Sequence, residues 1–246
     1  MSELERTQLN LIKGLDKSKL PALMPPPGHP IGVFHPYPEK ERSILGAGIT
    51  LIIISFVVMS GRIYLNAFDK ARKLSWDDGF CVFGWLCSAI WTVLWLTLRG
   101  YFRHAWDFPL SWYSPWYFKV IFATNFFLPA AQFFVKGAFI ILFLRIFSPQ
   151  KLIKWLLYAL FVFSFFAYWV TLPVFSVYCV PKAGGFWTLE SQLNCRHANT
   201  LGPIAGSLNL FIDLALLIIP LYMVSTLKLN QSRRLQLIAI FSTGTL

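Results

Sequence analysis

Charged residues are scarce in this chain. Asp, Glu, Lys and Arg make up 13% of its 246 residues, whereas hydrophobic residues make up 56% and aromatic residues 17%. A soluble domain carries about 25% charged residues. The 22 basic residues outnumber the 11 acidic ones, but they lie in short segments between apolar runs and not on one soluble face. This distribution excludes a nucleic-acid-binding protein and predicts a polytopic membrane protein whose partner is the lipid bilayer.

Five long runs contain at most one charged residue each. A helix rises about 1.5 Å per residue, so about 20 residues cross a hydrocarbon core about 30 Å thick. Backbone groups in lipid must be paired within their own segment, so each run is predicted to be a transmembrane helix of an all-α bundle. The runs are Ile44–Gly61, Gly79–Leu98, Val120–Leu144, Trp155–Val180 and Pro203–Leu227. A sixth run, Leu235–Leu246, has 12 residues before the sequence ends and is predicted to be a truncated sixth span.

The N-terminal segment differs in composition from the rest. Seven prolines lie between Pro21 and Pro38, and proline removes a helical hydrogen bond at each position that it occupies. Residues 1–42 are therefore predicted to be a disordered, Pro-rich tail, followed by a transmembrane domain over residues 43–246. The tail has no apolar core of the length typical of a cleavable signal peptide, so the first span is expected to act as an uncleaved anchor.

The distribution of Lys and Arg among the loops predicts the orientation. Loops one, three and five, numbered in chain order between the spans, carry ten of these residues. Loops two and four, together with Lys40 and Arg42, carry seven. Because cytosolic loops carry the excess of positive charge, the odd loops are predicted to be cytosolic and the N-terminus exoplasmic. The plasma membrane is favoured over internal membranes.

Two exterior loops carry recognisable features. Loop two is rich in amphipathic rings, which favour the headgroup layer as an interfacial belt and would alternatively form a cage for an aromatic ligand: Trp106, Trp112, Tyr113, Trp116 and Tyr117. Cys179 and Cys195 flank loop four. An oxidising exterior favours a disulfide between them, and a closed loop of this size gives a stabilisation of about 3 kcal/mol. Cys81 and Cys87 face different sides of the second span and are interpreted as packing residues.

Polar residues inside the spans are the strongest functional indication. Asn125, Gln132 and Lys136 recur at helical spacing on one face of the third span, and Gly202, Gly206, Asn209 and Asp213 do so on the fifth. Lys136 and Asp213 are the two charges well inside the runs. Intramembrane charges usually face the bundle interior and are functional candidates by default. The five polar residues are interpreted either as a structural polar seam between helices or as a site for a polar ligand or an ion.

Loop one ends in Ser75-Trp76-Asp77-Asp78. Ser75 is a suitable cap for the second span, and the two carboxylates favour the positive end of a helix. The spacing is that of a capping box. A binding site for a cytosolic partner is the alternative interpretation of the same residues.

The sequence predicts no catalytic residue, no metal site and no cofactor. It contains no P-loop, no H-E-x-x-H and no G-x-S-x-G motif. His104 and His197 lie in predicted exterior loops with too few further ligands for a metal. A non-enzymatic protein is therefore expected.

Several short motifs, in this order and spacing, resemble the fungal rhodopsin-domain family of integral membrane proteins. The resemblance covers roughly residues 44 to 246. The motifs are Gly61-Arg62-Ile63-Tyr64, Trp76-Asp77-Asp78, Gly100-Tyr101-Phe102-Arg103-His104, Phe143-Leu144-Arg145-Ile146-Phe147, Cys179-Val180-Pro181 with Cys195, Asn209-Leu210-Phe211-Ile212-Asp213, Leu217-Ile218-Ile219-Pro220, Leu227-Lys228-Leu229, Ser232-Arg233-Arg234 and Ile240-Phe241-Ser242-Thr243-Gly244.

The resemblance implies a seven-helix, receptor-like architecture with an unspecified ligand and an unspecified cytosolic signalling partner. It does not imply retinal, because retinal proteins carry their Schiff-base lysine on a seventh helix and Lys136 lies on the third span. The sequence ends within the sixth span, so a truncated gene model or a non-functional fragment remains an alternative. A small-solute transporter or an accessory membrane component of a metabolic pathway is the other alternative.

Glycosylation of Asn230 tests the predicted orientation, because Asn230-Gln231-Ser232 is the only N-x-[ST] sequon in the sequence. We expect Asn230 to remain unglycosylated because loop five is predicted to face the cytosol. Glycosidase treatment of the full chain from a eukaryotic host, followed by mass spectrometry, measures this. A glycan on Asn230 would invert the orientation.

Overall fold

The computed structural model describes residues 16, 18–23, 27–28, 41–68, 75–146, 150–181, 185–188, 195 and 201–226. These residues form helices and loops without a named strand. The α-helices are α1 (Glu41–Phe68), α2 (Trp76–Thr97), α3 (Pro115–Ile146), α4 (Lys151–Trp169), α5 (Thr171–Cys179) and α6 (Leu201–Thr226). Five helical segments of this described part are long and apolar enough to cross a membrane, with α4 and α5 counted as one. The predicted all-α transmembrane bundle is confirmed; Leu235–Leu246 and Asn230 lie outside the described residues.

Helix α3 is the centre of the bundle. Its 32 residues span about 48 Å, more than the hydrocarbon core requires. It packs against α2, α4 and α6, whereas α1 packs against α2 at the edge. The side chains of Ile140, Leu157 and Ile212, from α3, α4 and α6, are fully buried in one shared core. The three helices are therefore held around a common apolar centre.

Prolines lie within three of the helices. Pro129 lies inside α3 and Pro220 inside α6. Pro173 lies in the first turn of α5, and its missing N–H leaves the carbonyl of Trp169 without a helical donor, so the fourth span divides into α4 and α5 there.

Two glycines allow α2 and α3 to approach each other closely. A Cβ added to Gly84 of α2 would lie 2.8 Å from Val135 Cγ2, and one added to Gly137 of α3 would lie 2.7 Å from Phe80 Cδ1. Small residues at helix crossings serve this role in membranes. Gly202 and Gly206 of α6 do not mark a close helix crossing, because an added Cβ at either would meet no described atom within 4 Å.

Polar side chains join α1 to α2 near loop one. Arg62 Nη2 donates to Asp77 Oδ2 at 2.7 Å, and Asn66 Nδ2 donates to Asp78 Oδ1 at 2.8 Å. The other oxygen of Asp78 accepts the Ser75 N–H at 3.1 Å, as in a capping box. The predicted cap is confirmed. Sequence reasoning placed Arg62 in a loop and missed its role as the partner of both carboxylates.

Loop two is a folded cap over one end of the bundle. The rings of Tyr101 and Tyr113 both pack against the ring of Phe108, and the Tyr101 hydroxyl donates to the Trp112 carbonyl at 2.8 Å. Burial raises the pKa of the Tyr101 and Tyr113 hydroxyls, so both stay neutral at physiological pH. Trp116, predicted in loop two, lies instead in the first turn of α3, and it is half exposed, as a belt residue would be. Part of the predicted belt is thus a local aromatic core.

The predicted disordered tail contains a structured segment. The Ala22 N–H donates to the Phe108 carbonyl at 3.1 Å, and the Leu110 N–H donates to the Leu20 carbonyl at 2.8 Å. This part of the tail therefore pairs with loop two, because its backbone finds hydrogen-bond partners there that a free tail would take from water. The predicted tail, residues 1–42, also overlaps a helix at its C-terminal end, since Glu41 and Arg42 belong to α1.

Loop four is fastened to the bundle at two points. Cys179, at the end of α5, forms the predicted disulfide with Cys195, with their Cα atoms 4.5 Å apart. Trp187 packs its ring against Phe122 of α3, which itself stacks on Phe175 of α5. The described part of loop four therefore lies over the ends of α3 and α5.

The close crossing of α2 and α3 predicts a steric effect. Gly84→Val should lower the free energy of unfolding in detergent by about 1–3 kcal/mol, because the new side chain would overlap Val135 and force the helices apart. Thermal unfolding of the purified protein measures this. Gly79→Val is the matched control on the same helix, since a Cβ there meets no described atom within 4 Å. Equal effects of the two substitutions would contradict the close crossing.

Candidate functional site

Four polar side chains meet inside the bundle and are called here the Lys136 cluster. Lys136 comes from α3, Tyr168 from α4, and Asn209 and Asp213 from α6. These are the three helices that share the central core. Asn209 and Asp213 are four residues apart, so one turn of α6 presents both on the same face.

The Lys136 ammonium is fully bonded within this cluster. Nζ forms an ion pair with Asp213 Oδ1 at 2.8 Å and donates to Tyr168 Oη at 2.8 Å. It also donates to Asn209 Oδ1. An ammonium has three donors, so the three acceptors on α4 and α6 use all of them.

The remaining groups complete a connected network. The Tyr168 hydroxyl donates to Asn209 Oδ1 at 2.7 Å. Asn209 Nδ2 in turn donates to Asp213 Oδ2 at 3.2 Å. Both oxygens of the carboxylate therefore have a partner within the cluster, and no member depends on a single bond.

The surroundings of the cluster are mostly apolar. The Lys136 side chain is 11% exposed, whereas the Asp213 side chain is 40% exposed. Tyr168 is buried and belongs to the apolar core, next to Ile212 and Leu216. The ammonium is the more enclosed member of the pair, so it loses more than the carboxylate if the pair separates.

Stability alone is a weak explanation for such a pair. Apolar residues of similar volume often stabilise a protein as well as a buried ion pair does, whereas removal of one partner alone is costly. Charged residues within transmembrane helices are also expensive to insert. The Lys136 cluster is therefore the candidate functional site among the residues that the structure describes.

The structure brings together part of the predicted polar set. Lys136, Asn209 and Asp213 meet, whereas Asn125 and Gln132 are outside the cluster. Asn125 is exposed, and its Nδ2 donates to the Ile121 carbonyl of its own helix at 2.8 Å. Gln132 Oε1 is buried without a hydrogen-bond partner among the described residues. Equal helical spacing was therefore insufficient to predict which members of one face reach α6.

Tyr168 was missed from the sequence. It lies in a run without any charged residue, Trp155–Val180, and a tyrosine in such a run is as compatible with the membrane interface as with the core. Its position near the middle of that run, far from both membrane interfaces, was the signal that could have placed it in the core. A search of the described residues finds no group of three His, Cys, Asp or Glu side chains able to hold a metal ion.

A comparison with known families decides the classification. The family model described as the fungal rhodopsin domain matches residues 61–246. The chain belongs to the fungal rhodopsin-domain family. No curated protein and no solved structure matches the chain. The matched range contains all four members of the Lys136 cluster, so this cluster lies within the fungal rhodopsin domain.

The ion pair predicts coupled effects of substitution. Lys136→Met and Asp213→Asn should each lower the free energy of unfolding, because each leaves the other charge without its ionic partner. The double variant should lose less than the sum, with a coupling energy of about 1–3 kcal/mol. Thermal unfolding of the detergent-solubilised protein provides all three values.

A second cycle provides the control. Lys136→Met combined with Asn125→Leu should be additive, because Asn125 bonds its own helix and does not contact the cluster. Additive effects in the first cycle as well would show that the two charges are independent, and the cluster would then be no candidate site.

Proposed function

We propose that this fungal rhodopsin-domain protein is a receptor-like, non-enzymatic protein of the plasma membrane, with its N-terminus outside. In this proposal the Lys136 cluster sets the balance between two arrangements of the helices. The single observation that carries the proposal is the ion pair of Lys136 and Asp213, at 2.8 Å, joining α3 to α6 within apolar surroundings.

A receptor needs an element with two discrete arrangements that a ligand can bias. The Lys136 cluster has the properties of such an element. Its bonds cross from α3 to both α4 and α6, so a movement of α6 breaks several of them together. The side chains packed around the cluster are mostly apolar, so these broken bonds have few replacements, which favours two separate states over a gradual change.

Two contacts support the proposed orientation. The segment around Leu20 and Ala22 pairs with loop two, so the tail and loop two lie on the same side of the membrane. The two spans between them, α1 and α2, require the same placement. Loop four follows after two further spans and carries the disulfide of Cys179 and Cys195. Disulfides persist in oxidising, exoplasmic surroundings, which favours the outside for all three.

Distance measurements between spin labels test the two arrangements. Leu65 at the end of α1 and Ile218 on α6 are 68% and 59% exposed, and each would be replaced by a labelled cysteine after Cys81→Ala and Cys87→Ala. Wild type should give one dominant distance in lipid nanodiscs. Lys136→Met should add a second population, because loss of 1–3 kcal/mol of coupling shifts a two-state ratio by about 5–150-fold.

Asn125→Leu is the matched control, since it removes a polar group from α3 without touching the cluster. It should leave the wild-type distance distribution unchanged. If Lys136→Met also leaves that distribution unchanged while the protein remains folded, the cluster does not set a balance between arrangements and the receptor-like proposal fails.

A further inference from the structure

Four exposed side chains form a stripe along the first turns of α4, called here the Lys151 stripe. They are Lys151, Lys154, Trp155 and Tyr158. Their helical spacing places all four on one face of the helix. The opposite face is fixed, because Ile153 and Leu157 are buried in the core that α4 shares with α3 and α6. The stripe therefore points away from the bundle.

The two lysines of the stripe have aromatic neighbours but no ionic partner. Lys154 Nζ lies 6.0 Å from the centre of the Tyr158 ring, and the rings of Trp155 and Tyr158 meet edge to face with their centres 6.4 Å apart. Neither lysine forms an ion pair with an acidic side chain of the described residues. The sequence has no Asp or Glu between Asp107 and Glu190. Helices α3 and α4 and the loop between them thus supply no counter-charge.

The stability of α4 does not explain these lysines. Lys151 is the first residue of the helix and Lys154 lies three residues later, near the end at which the helix dipole favours negative charge. Arg145 differs, since it lies in the last turn of α3, where a basic side chain stabilises its own helix. The positions of Lys151 and Lys154 therefore favour a negatively charged neighbour from outside these two helices.

The surface around the stripe indicates what supplies this negative charge. The same face of α4 continues as exposed apolar side chains, among them Val162 and Phe166, which suit contact with lipid chains. Exposed tryptophan and tyrosine rings favour the headgroup layer, so Trp155 and Tyr158 place the lysines at the level of the lipid phosphates. Loop three is predicted to face the cytosol, and the cytosolic leaflet carries the anionic lipids.

We propose that the Lys151 stripe binds an anionic phospholipid. The ammonium groups of Lys151 and Lys154 pair with its headgroup, and its acyl chains lie along Val162 and Phe166. A soluble acidic peptide would use the two lysines but not the apolar face that continues from them, so the lipid fits the whole surface. The stripe faces outward and the Lys136 cluster joins the helices inside the bundle, so either proposal can fail while the other stands.

Fluorescence quenching by brominated phospholipids tests this proposal in the full chain. A bimane fluorophore on Leu156→Cys, after Cys81→Ala and Cys87→Ala, would report the lipid beside the stripe. Bilayers that mix phosphatidylserine with phosphatidylcholine, only one of them brominated at a time, give the relative affinity of the two lipids. The labelled protein should prefer phosphatidylserine about 5- to 25-fold, since each lysine near the surface contributes about fivefold. This preference should fall as the ionic strength rises.

Substitution of the lysines provides the specificity test. Lys151→Gln and Lys154→Gln should each lower the preference about 2- to 5-fold, and the double variant should bring it to about one. The double variant should keep an equal or higher melting temperature, because positive charge is removed from the start of α4. Lys151→Arg combined with Lys154→Arg should retain the preference, because both charges remain. Arg145→Gln is the matched control, since it removes one charge beside the same loop but none from the stripe, and it should leave the preference nearly unchanged.

Three results would overturn the proposal: equal affinity for the two lipids in the labelled protein, a preference that survives the double substitution to glutamine, or equal effects of Arg145→Gln and Lys154→Gln. The last result is expected if the lysines serve only the orientation of the chain and attract anionic lipid diffusely. Absence of quenching by either lipid, as expected if another segment or a second copy of the chain covers the stripe, would overturn it too.

Discussion

The ammonium of Lys136 is the point on which the inner part of the bundle depends. In a membrane, association of helices gains little from the hydrophobic effect, so close packing and polar bonds between helices determine how they are arranged. Lys136 supplies bonds to both α4 and α6 from the central helix α3. A single side chain therefore links three helices that also share an apolar core.

The remaining helices are joined by different means. The crossing of α2 and α3 relies on the absence of a Cβ at Gly84 and Gly137, and the edge helix α1 is held to α2 by Arg62 and its two carboxylate partners. These contacts are either steric or confined to a helix end. The Lys136 cluster differs because its bonds lie among apolar side chains, where replacement partners are few. A change in its bonding would therefore act on the contacts of α3 with both α4 and α6.

Sequence reasoning predicted the helices well and their partners less well. Length and the absence of charge were sufficient for the five spans, because lipid leaves a crossing segment no alternative to a helix. The isolation of Lys136 and Asp213 within apolar runs also indicated that both charges face the bundle interior. Helical spacing could not separate Asn125 from Lys136, since it gives the face of a helix but not which neighbour that face meets. Tyr168, Arg62 and the pairing of Ala22 with loop two depend on tertiary contacts that no local pattern encodes.

The unpaired acceptor of Gln132 bears on whether the polar seam is only structural. A seam selected for stability alone would be expected to satisfy its buried polar groups, as Asn209 and Asp213 do. Gln132, one helical turn before Lys136, leaves its buried acceptor unpaired among the residues that the structure describes. The satisfied bonds of this face start at Lys136 and reach α4 and α6, whereas the preceding turn of α3 has none for Gln132 Oε1. Stability alone therefore leaves this face of α3 unexplained, which agrees with the proposed role of the Lys136 cluster as a junction between two helix arrangements.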